Sequence, residues 1–571
     1  MTIDQFEPED PLLEISRKLS NVNIYKVPAQ GGSIDKDALP TIQYLIFSQE
    51  PEKIKESIRM LRRYLTQDSS GKNDEHTVND ILALDILPRI KELLETHSNN
   101  SIKFECAWII TNIAAGTSEQ TNTIIAAGFV DTLLECLRSK NSSLELKAQA
   151  AWALGNIAGE SPRYREELLK KGYTKAMIMV LDHIYHHSLK GRKVCLYENY
   201  ANVEALLWAL TNMSRGGFHV ANYSQFYLPM FRIFSQYLEV DEMKLKIEVC
   251  WGLARILYNM HEVDHFYNSN MISVKLCEQL LDLLRTGIPK YVVPALRTIA
   301  NITSGPNRSL RNLLNTPVLP VITPLLHPSI PADIRKDGFL AISNLAAGDE
   351  YMIKKIVQYS ELIKNVLTHI TVPGHIFDEE RTVWEPTICH AYYNQNVEWK
   401  LTRDALWIIF NIISLGNDSS ILDLLCNHPN IPDILLKLFN YACLPPDTCE
   451  KLIQATTSLV QRTNKHSTNG KNPSVTLFIN HGILSYLELI QKNYNECGIK
   501  DSCLKLVTLL NASEQNVAQT ASISDVADVA SAFGLPTVGE IKSKSSKRRV
   551  LRGLEDGDVR FIENAVGNLY L

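Results

Sequence analysis

No stretch of this sequence approaches the roughly 18 consecutive apolar residues of a membrane span, and the acidic opening MTIDQFEPEDPLLEISRKL has no apolar core of signal-peptide length. A spanning helix and a secretory leader are thereby excluded, which predicts a cytoplasmic and nuclear protein. A basic excess is also missing. The 571 residues carry 58 Lys and Arg against 63 Asp and Glu, for a net charge of -5. That balance argues against a general nucleic-acid or membrane-surface binder, so any charge-based recognition must be local. None of the 11 cysteines forms a CxxC pair, and Cys106 and Cys250 stand close to a Trp in apolar runs, as buried thiols of a reducing compartment would. No phosphate-binding Gly loop, Ser-His-Asp grouping or metal-ligand spacing stands out. His183, His186 and His187 fall in a stretch that reads as an insertion loop without paired acids, and His390 beside Cys389 lacks further ligands. Neither catalysis nor a cofactor or metal is expected.

What is present is repetition. Leu, Ile, Ala and Val recur at helical spacing from about residue 41 to about 512, with almost no period-two alternation. The segments AWIITNIAAG, AWALGNIAGE, LWALTNMSRG, LRTIANITSG, FLAISNLAAG and LWIIFNIISL align without a gap, and VCWGLARILY is a weaker seventh copy. Their shared first position is Trp108, Trp152, Trp208, Trp251, Arg297, Leu340 and Trp407, giving steps of 44, 56, 43, 46, 43 and 67 residues. Four of these steps lie near the period of about 40 to 47 residues expected of armadillo and HEAT units. The two long ones read as insertions near HIYHHSLKGRKVCLYENY and VPGHIFDEERTVWEPTICHAYYNQNVEW. Weaker helical pairs at both ends bring the expected count to about ten units. The predicted fold is an all-α armadillo-type superhelical solenoid over residues 41–512, between an acidic segment 1–40 and a tail 513–571 with a basic cluster.

Residues four apart on a helix share a face. Trp108 with Asn112, Trp152 with Asn156, Trp208 with Asn212 and Trp407 with Asn411 therefore predict a ladder of indoles beside a ladder of carboxamides. An Asn amide can donate to and accept from an extended peptide backbone. Neighbouring indoles can form slots for the aliphatic stems of Lys and Arg and attract their head groups. A single Trp or Asn at such a position would more simply be core or an inter-helix hydrogen bonder. Three consecutive units with W-x-x-x-N in one register point beyond packing.

FECAWIITNIAAGTSEQT and AQAAWALGNIAGESPRYRE resemble the second and third armadillo units of importin-α, and the resemblance covers roughly residues 41–512. It implies a nuclear-import adaptor that binds Lys/Arg-rich nuclear localisation signals of cargo proteins in a concave Trp/Asn groove. The implied major site takes Trp108, Asn112, Trp152, Asn156, Trp208 and Asn212, with Gln149, Glu248 and Trp251. Gly116, Thr121 and Glu160 match the family's main-chain carbonyl, Thr and acid that hold the principal cargo lysine, with Glu160 where the family has Asp. The implied minor site takes Arg297, Asn301, Asn344, Asp404, Trp407 and Asn411. Leu340 stands where an indole is expected, and Arg255 is a cation where the family has an uncharged residue.

The ends depart from the family. Residues 1–40 hold seven Asp or Glu and only four Lys or Arg, unlike the basic importin-β-binding segment, and EKIKESIRMLRRYL has the apolar spacing of a first helical unit. The resemblance implies partnership with importin-β and allows a nuclear export receptor. The acidic start instead suits an armadillo scaffold that binds basic peptides without importin-β, and an importin-β pull-down separates the two. KSKSSKRRVLR, near the other end, has the composition of the peptides such a groove binds and is a candidate autoinhibitory segment.

Overall fold

The computed structural model describes residues 34–66, 75–189, 199–216, 223–260, 271–370, 397–439, 444–465 and 472–520. Every regular element among the described residues is helical, as the all-α armadillo reading requires. The chain divides into two compact units, residues 1–266 and 267–571.

In the first unit the repeated segments form α1 (Pro51–Thr66), α2 (Asn100–Ala114), α3 (Leu144–Glu160), α4 (Tyr200–Met213) and α5 (Met243–Met260). Each packs against the next. Between them run shorter helices such as Ser118–Ala126 and Phe129–Arg138, which complete a three-helix armadillo unit. Local signals fix the starts. Asn99 caps α2 by accepting from the amide of Ser101, Ser143 caps α3 by accepting from that of Leu146, and Thr117 with Gln120 forms a capping box on Ser118–Ala126. EKIKESIRMLRRYL lies in α1, burying Ile54, Ile58, Leu61 and Leu65.

The turn into the last helix of the unit also repeats. Gly128 (φ 78°) and Gly172 (φ 81°) sit in the left-handed region one repeat apart, and Asp85 (φ 49°) takes that place one repeat earlier. Only Gly adopts such a backbone without strain, and Asp is among the few side chains that tolerate it.

In the second unit the corresponding helices are α6 (Pro289–Thr303), α7 (Ala332–Ala346), α8 (Val397–Leu415) and α9 (Pro446–Lys465), again packed in sequence. The last helix runs from Cys497 to Thr520. Helices α2, α3, α4 and α8 bury apolar residues almost all round, because each is held between two neighbours and a shorter helix behind. Cys106, Cys250, Cys277 and Cys449 are all buried. No described helix is long and apolar enough to cross a membrane.

One expectation is corrected. His183, His186 and His187 do not lie in a loop. They continue the helix Tyr173–Leu189, where the rings of His183 and His187 stand 4.1 Å apart and His186 faces Asp182 at 3.3 Å. The helix was missed because three histidines dominate its end and mask the buried stripe of Leu181, Ile184 and Tyr185. Residues 190–198 of that insertion, His390 with Cys389, the N-terminal segment before residue 34 and the basic cluster near the end lie outside the described residues.

A close helix approach falls at Gly155 on α3. A Cβ there would meet Trp208 Cζ3 at 2.9 Å and the Ala209 backbone Cα at 3.0 Å, whereas one at Gly159 would meet only Arg215 at 3.9 Å. Gly155→Ala should therefore cost about 1–3 kcal/mol through overpacking. Denaturant midpoints check this with Gly159→Ala as a near-neutral control, and equal midpoints would refute the tight α3–α4 contact.

Candidate functional site

The ladder begins with a backbone contact. Asn156 Nδ2 donates to the carbonyl of Thr111 at 3.0 Å, and Asn212 Nδ2 to that of Gly155 at 3.3 Å. In the second unit Asn411 Nδ2 donates to Ser343 O at 3.2 Å. In each case the acceptor is the residue just before the preceding ladder Asn. Arg255 keeps the register, its Nη1 donating to Thr211 O at 3.3 Å, so the cation that departs from the family replaces Asn in the same contact. Asn344 instead donates to Thr303 Oγ1 and Ser304 Oγ at 3.2 and 3.0 Å. The carboxamides thus set helix register first. Asn112, Asn156, Asn344 and Asn411 are half-buried, while Asn301 and Asn212 are buried, the latter only 2% exposed.

The indoles fall into two groups. Trp152, Trp208, Trp251 and Trp407 are half-exposed. Trp152 and Trp208 touch edge to face, with centroids 6.1 Å apart and planes at 63°. An alkyl stem sandwiched between two rings needs about 7–8 Å, two carbon contacts. The expected slot between these two is therefore closed, and a stem would lie across their exposed surface. Trp108 is only 7% exposed and lies beneath Arg62, whose Cζ is 4.2 Å from the ring centroid. Arg255 stands 6.0 Å from the Trp251 ring, and Lys451 Nζ 5.7 Å from that of Trp407.

Of the predicted lysine-holding set, Glu160 is exposed at the end of α3 and accepts from Ser118 Oγ. Gly116 is half-buried beyond the end of α2. Thr121 is buried, its hydroxyl donating to Thr117 O and Ala114 O at 3.1 and 3.3 Å. Gln149 is also buried and donates to Thr111 Oγ1 at 2.7 Å, which ties α3 to α2. Thr121 and Gln149 support the frame.

Acids recur three residues before the ladder position. The sequence reading took Glu248 and Asp404 from this series and passed over Glu105 and Asp337, which the same register would have found. Glu105 is paired with Arg62 at 2.7 Å and Arg59 at 3.5 Å, and Asp337 with Arg297 at 2.7 Å. The role of Arg297 is thus an ion pair with a buried acid on the next helix. Asp404 lies beside Arg403, and burial raises its pKa. Burial likewise pushes the Glu248 carboxyl up to about 7, aided by Glu204 and opposed by Arg255 and Arg215. Glu204, on α4, is itself raised by burial. Leu340, 40% exposed, leaves the second ladder without an indole between Arg297 and Trp407.

Elsewhere in the second unit a cleft of about 200 Å³, lined by Leu422, Leu425, Cys426, Pro429, Pro432 and Leu477 among others, carries none of the ladder residues. Among the described residues no group of three or more His, Cys, Asp or Glu could hold a metal ion.

The Armadillo/beta-catenin-like repeat family matches residues 117–159, covering the helix after α2 through α3. Importin subunit alpha-1a of Oryza sativa subsp. japonica is 26% identical over 363 residues, 61% of this chain and 64% of that protein. Importin subunit alpha-3 of Arabidopsis thaliana is 30% identical over 304 residues, 53% of this chain and 52% of that one. Importin subunit alpha-B of Dictyostelium discoideum is 28% identical over 275 residues, 47% and 48% of the two chains. The chain thus spans about half to just under two thirds of these relatives' length. Among solved structures, an engineered protein matches with a TM-score of 0.62 at 18% identity, over 84% of this chain and 99% of its own. A chain from work on cadherin and beta-catenin matches with a TM-score of 0.58 at 12% identity, over 98% and 97%. The chain is thus similar to importin-α subunits over about half of its length, and its fold is of the armadillo type.

The raised Glu248 carboxyl has a consequence for pH. The folded state holds this proton more tightly than the unfolded chain does, so the favourable contribution is complete below about pH 4.5 and is lost as pH rises through about 7. Glu248→Gln should remove that decline and gain on the order of 1–2 kcal/mol over wild type at pH 8. Thermal melts from pH 5 to 8 test it, and parallel pH profiles for the two proteins would contradict a half-buried carboxyl whose proton is held by desolvation.

Proposed function

We propose that this protein is a nuclear-transport adaptor that binds extended Lys/Arg-rich signal segments of cargo on the ladder face of its first unit and moves between cytoplasm and nucleus. The reading is supported above all by one arrangement. Trp152 and Trp208 form a half-exposed aromatic surface, in ring contact, with Glu160 exposed at the end of the same helix as Trp152. Such a surface suits the amphipathic stem of a basic side chain, and a carboxylate nearby suits its head. Asn156 spends one amide hydrogen on Thr111 O, and its other N–H and its carbonyl oxygen can serve a peptide backbone. The importin-α likeness supports the same assignment, with the named relatives supplying the transport context. In this reading Glu248, Trp251 and Gly116 extend the face, while Asn212, Gln149 and Thr121 hold its shape.

The second ladder, with Asn301, Asn344, Asp404, Trp407 and Asn411, is proposed as a weaker basic-segment site. Leu340 interrupts it and Lys451 lies over its indole. A function without importin-β draws on the acidic composition of residues 1–40 and leaves the peptide face unchanged.

Anisotropy of a labelled monopartite Lys/Arg-rich peptide tests the proposal on the full chain. Trp152→Ala should weaken binding about tenfold and Glu160→Ala several-fold, as loss of an aromatic platform and a charged contact of about 1–3 kcal/mol implies. Raised salt should weaken wild type more than Glu160→Ala. Wild-type affinity in both variants would overturn the assignment.

A further inference from the structure

We propose that Arg62 is a specificity-determining residue, an internal ligand that fills the Trp108 end of the ladder face and limits how long a basic segment this protein can read. The inference rests on the reading above that the face takes basic peptides. The geometry carries it. Arg62, on α1, lays its guanidinium over the Trp108 indole with Cζ 4.2 Å from the centroid. Its Nε lies 2.7 Å from Glu105 Oε2, and Arg59 Nε lies 3.5 Å from Glu105 Oε1. Glu105 stands one helical turn before Trp108, so the acid and the indole flank a single cation. These are the two partners that a Lys or Arg side chain of a ligand would seek, an aromatic face and a carboxylate.

Burial shows how completely the place is taken. The Arg62 and Glu105 side chains are only 13% and 7% exposed. Trp108 is buried, whereas Trp152, Trp208, Trp251 and Trp407 are half-exposed. The other nearby cations stand farther from their rings, 6.0 Å for Arg255 and 5.7 Å for Lys451. A peptide cation aimed at Trp108 must therefore displace Arg62, exchanging one cation for another at the same carboxylate. Extending a peptide towards this end gains it little, and recognition centres on Trp152 and Trp208.

The test uses the full chain and labelled peptides: a short monopartite Lys/Arg-rich peptide, and two versions lengthened by further basic residues at one end or the other. Wild type should bind all three within about twofold. Arg62→Ala should bind one lengthened peptide about tenfold tighter than wild type does, the return expected from a freed aromatic face and carboxylate. Arg62→Lys, which keeps a cation beside Glu105, should stay close to wild type. Because Arg62→Ala leaves the buried Glu105 with only the longer Arg59 contact, Arg62→Ala/Glu105→Gln is the second variant. With neither charge present it should still gain about threefold from the uncovered indole. A wild type that already favours a lengthened peptide by tenfold, or no gain in either alanine variant while Trp152→Ala still loses the short peptide, overturns the inference alone. If Trp152→Ala leaves the short peptide unaffected, or none of the proteins binds any peptide, the reading of the face falls and this inference with it.

Discussion

The side-chain N–H that four ladder helices, α3, α4, α5 and α8, donate to the carbonyl just before the preceding ladder Asn is the constraint on which the rest depends. Asn156 to Thr111, Asn212 to Gly155, Arg255 to Thr211 and Asn411 to Ser343 repeat one register. Apolar packing alone would let neighbouring helices slide, since Leu, Ile and Ala faces fit in several offsets. A hydrogen bond between a side chain and a buried carbonyl does not slide, because leaving it unmade costs more than forming it gains. Gly155 then lets Trp208 settle on α3, and the indoles follow the carboxamides into line.

The same register organises charge. Acids three residues before the ladder position meet cations from a neighbouring helix, as Glu105 meets Arg62 and Asp337 meets Arg297. Cations also stand near Trp108, Trp251 and Trp407. The ladder face of the first unit is therefore partly occupied by its own chain, and its more open, acid-flanked portion narrows to the region of Trp152, Trp208 and Glu160. The net charge of -5 disfavours polyanions generally, so the proposed site for cations is set by this local arrangement of acids and indoles.

Much of the fold was legible because the repeat is written in residues that packing cannot replace. The W-x-x-x-N register, the step near 44 residues and the Gly that ends most copies mark the array in the sequence itself. The site was legible only in outline. Glu105 and Asp337 share the register of Glu248 and Asp404 but were overlooked, because their flanking sequences differ and only alignment on the ladder position exposes them. Arg62 was hidden for a deeper reason. The first helical repeat lacks a Trp, so nothing in α1 identifies the residue that crosses to Trp108. The contact between the Trp152 and Trp208 rings was likewise unreadable, since it depends on the small residue at 155 and on helix spacing rather than on either Trp. The helix carrying His183 was misjudged because polarity was taken for a loop.

The central claim, that the ladder face of the first unit holds a stretched basic segment, is tested most directly by photo-crosslinking. A Lys/Arg-rich peptide bearing a benzophenone at successive positions would be irradiated with the full chain, and the adducts located by mass spectrometry. The account predicts adducts on α3 and α4 around Trp152, Asn156 and Trp208, shifting along the ladder as the label moves, and suppressed by excess unlabelled peptide. Adducts confined to other helices, or competed equally by an acidic peptide of the same length, would contradict it.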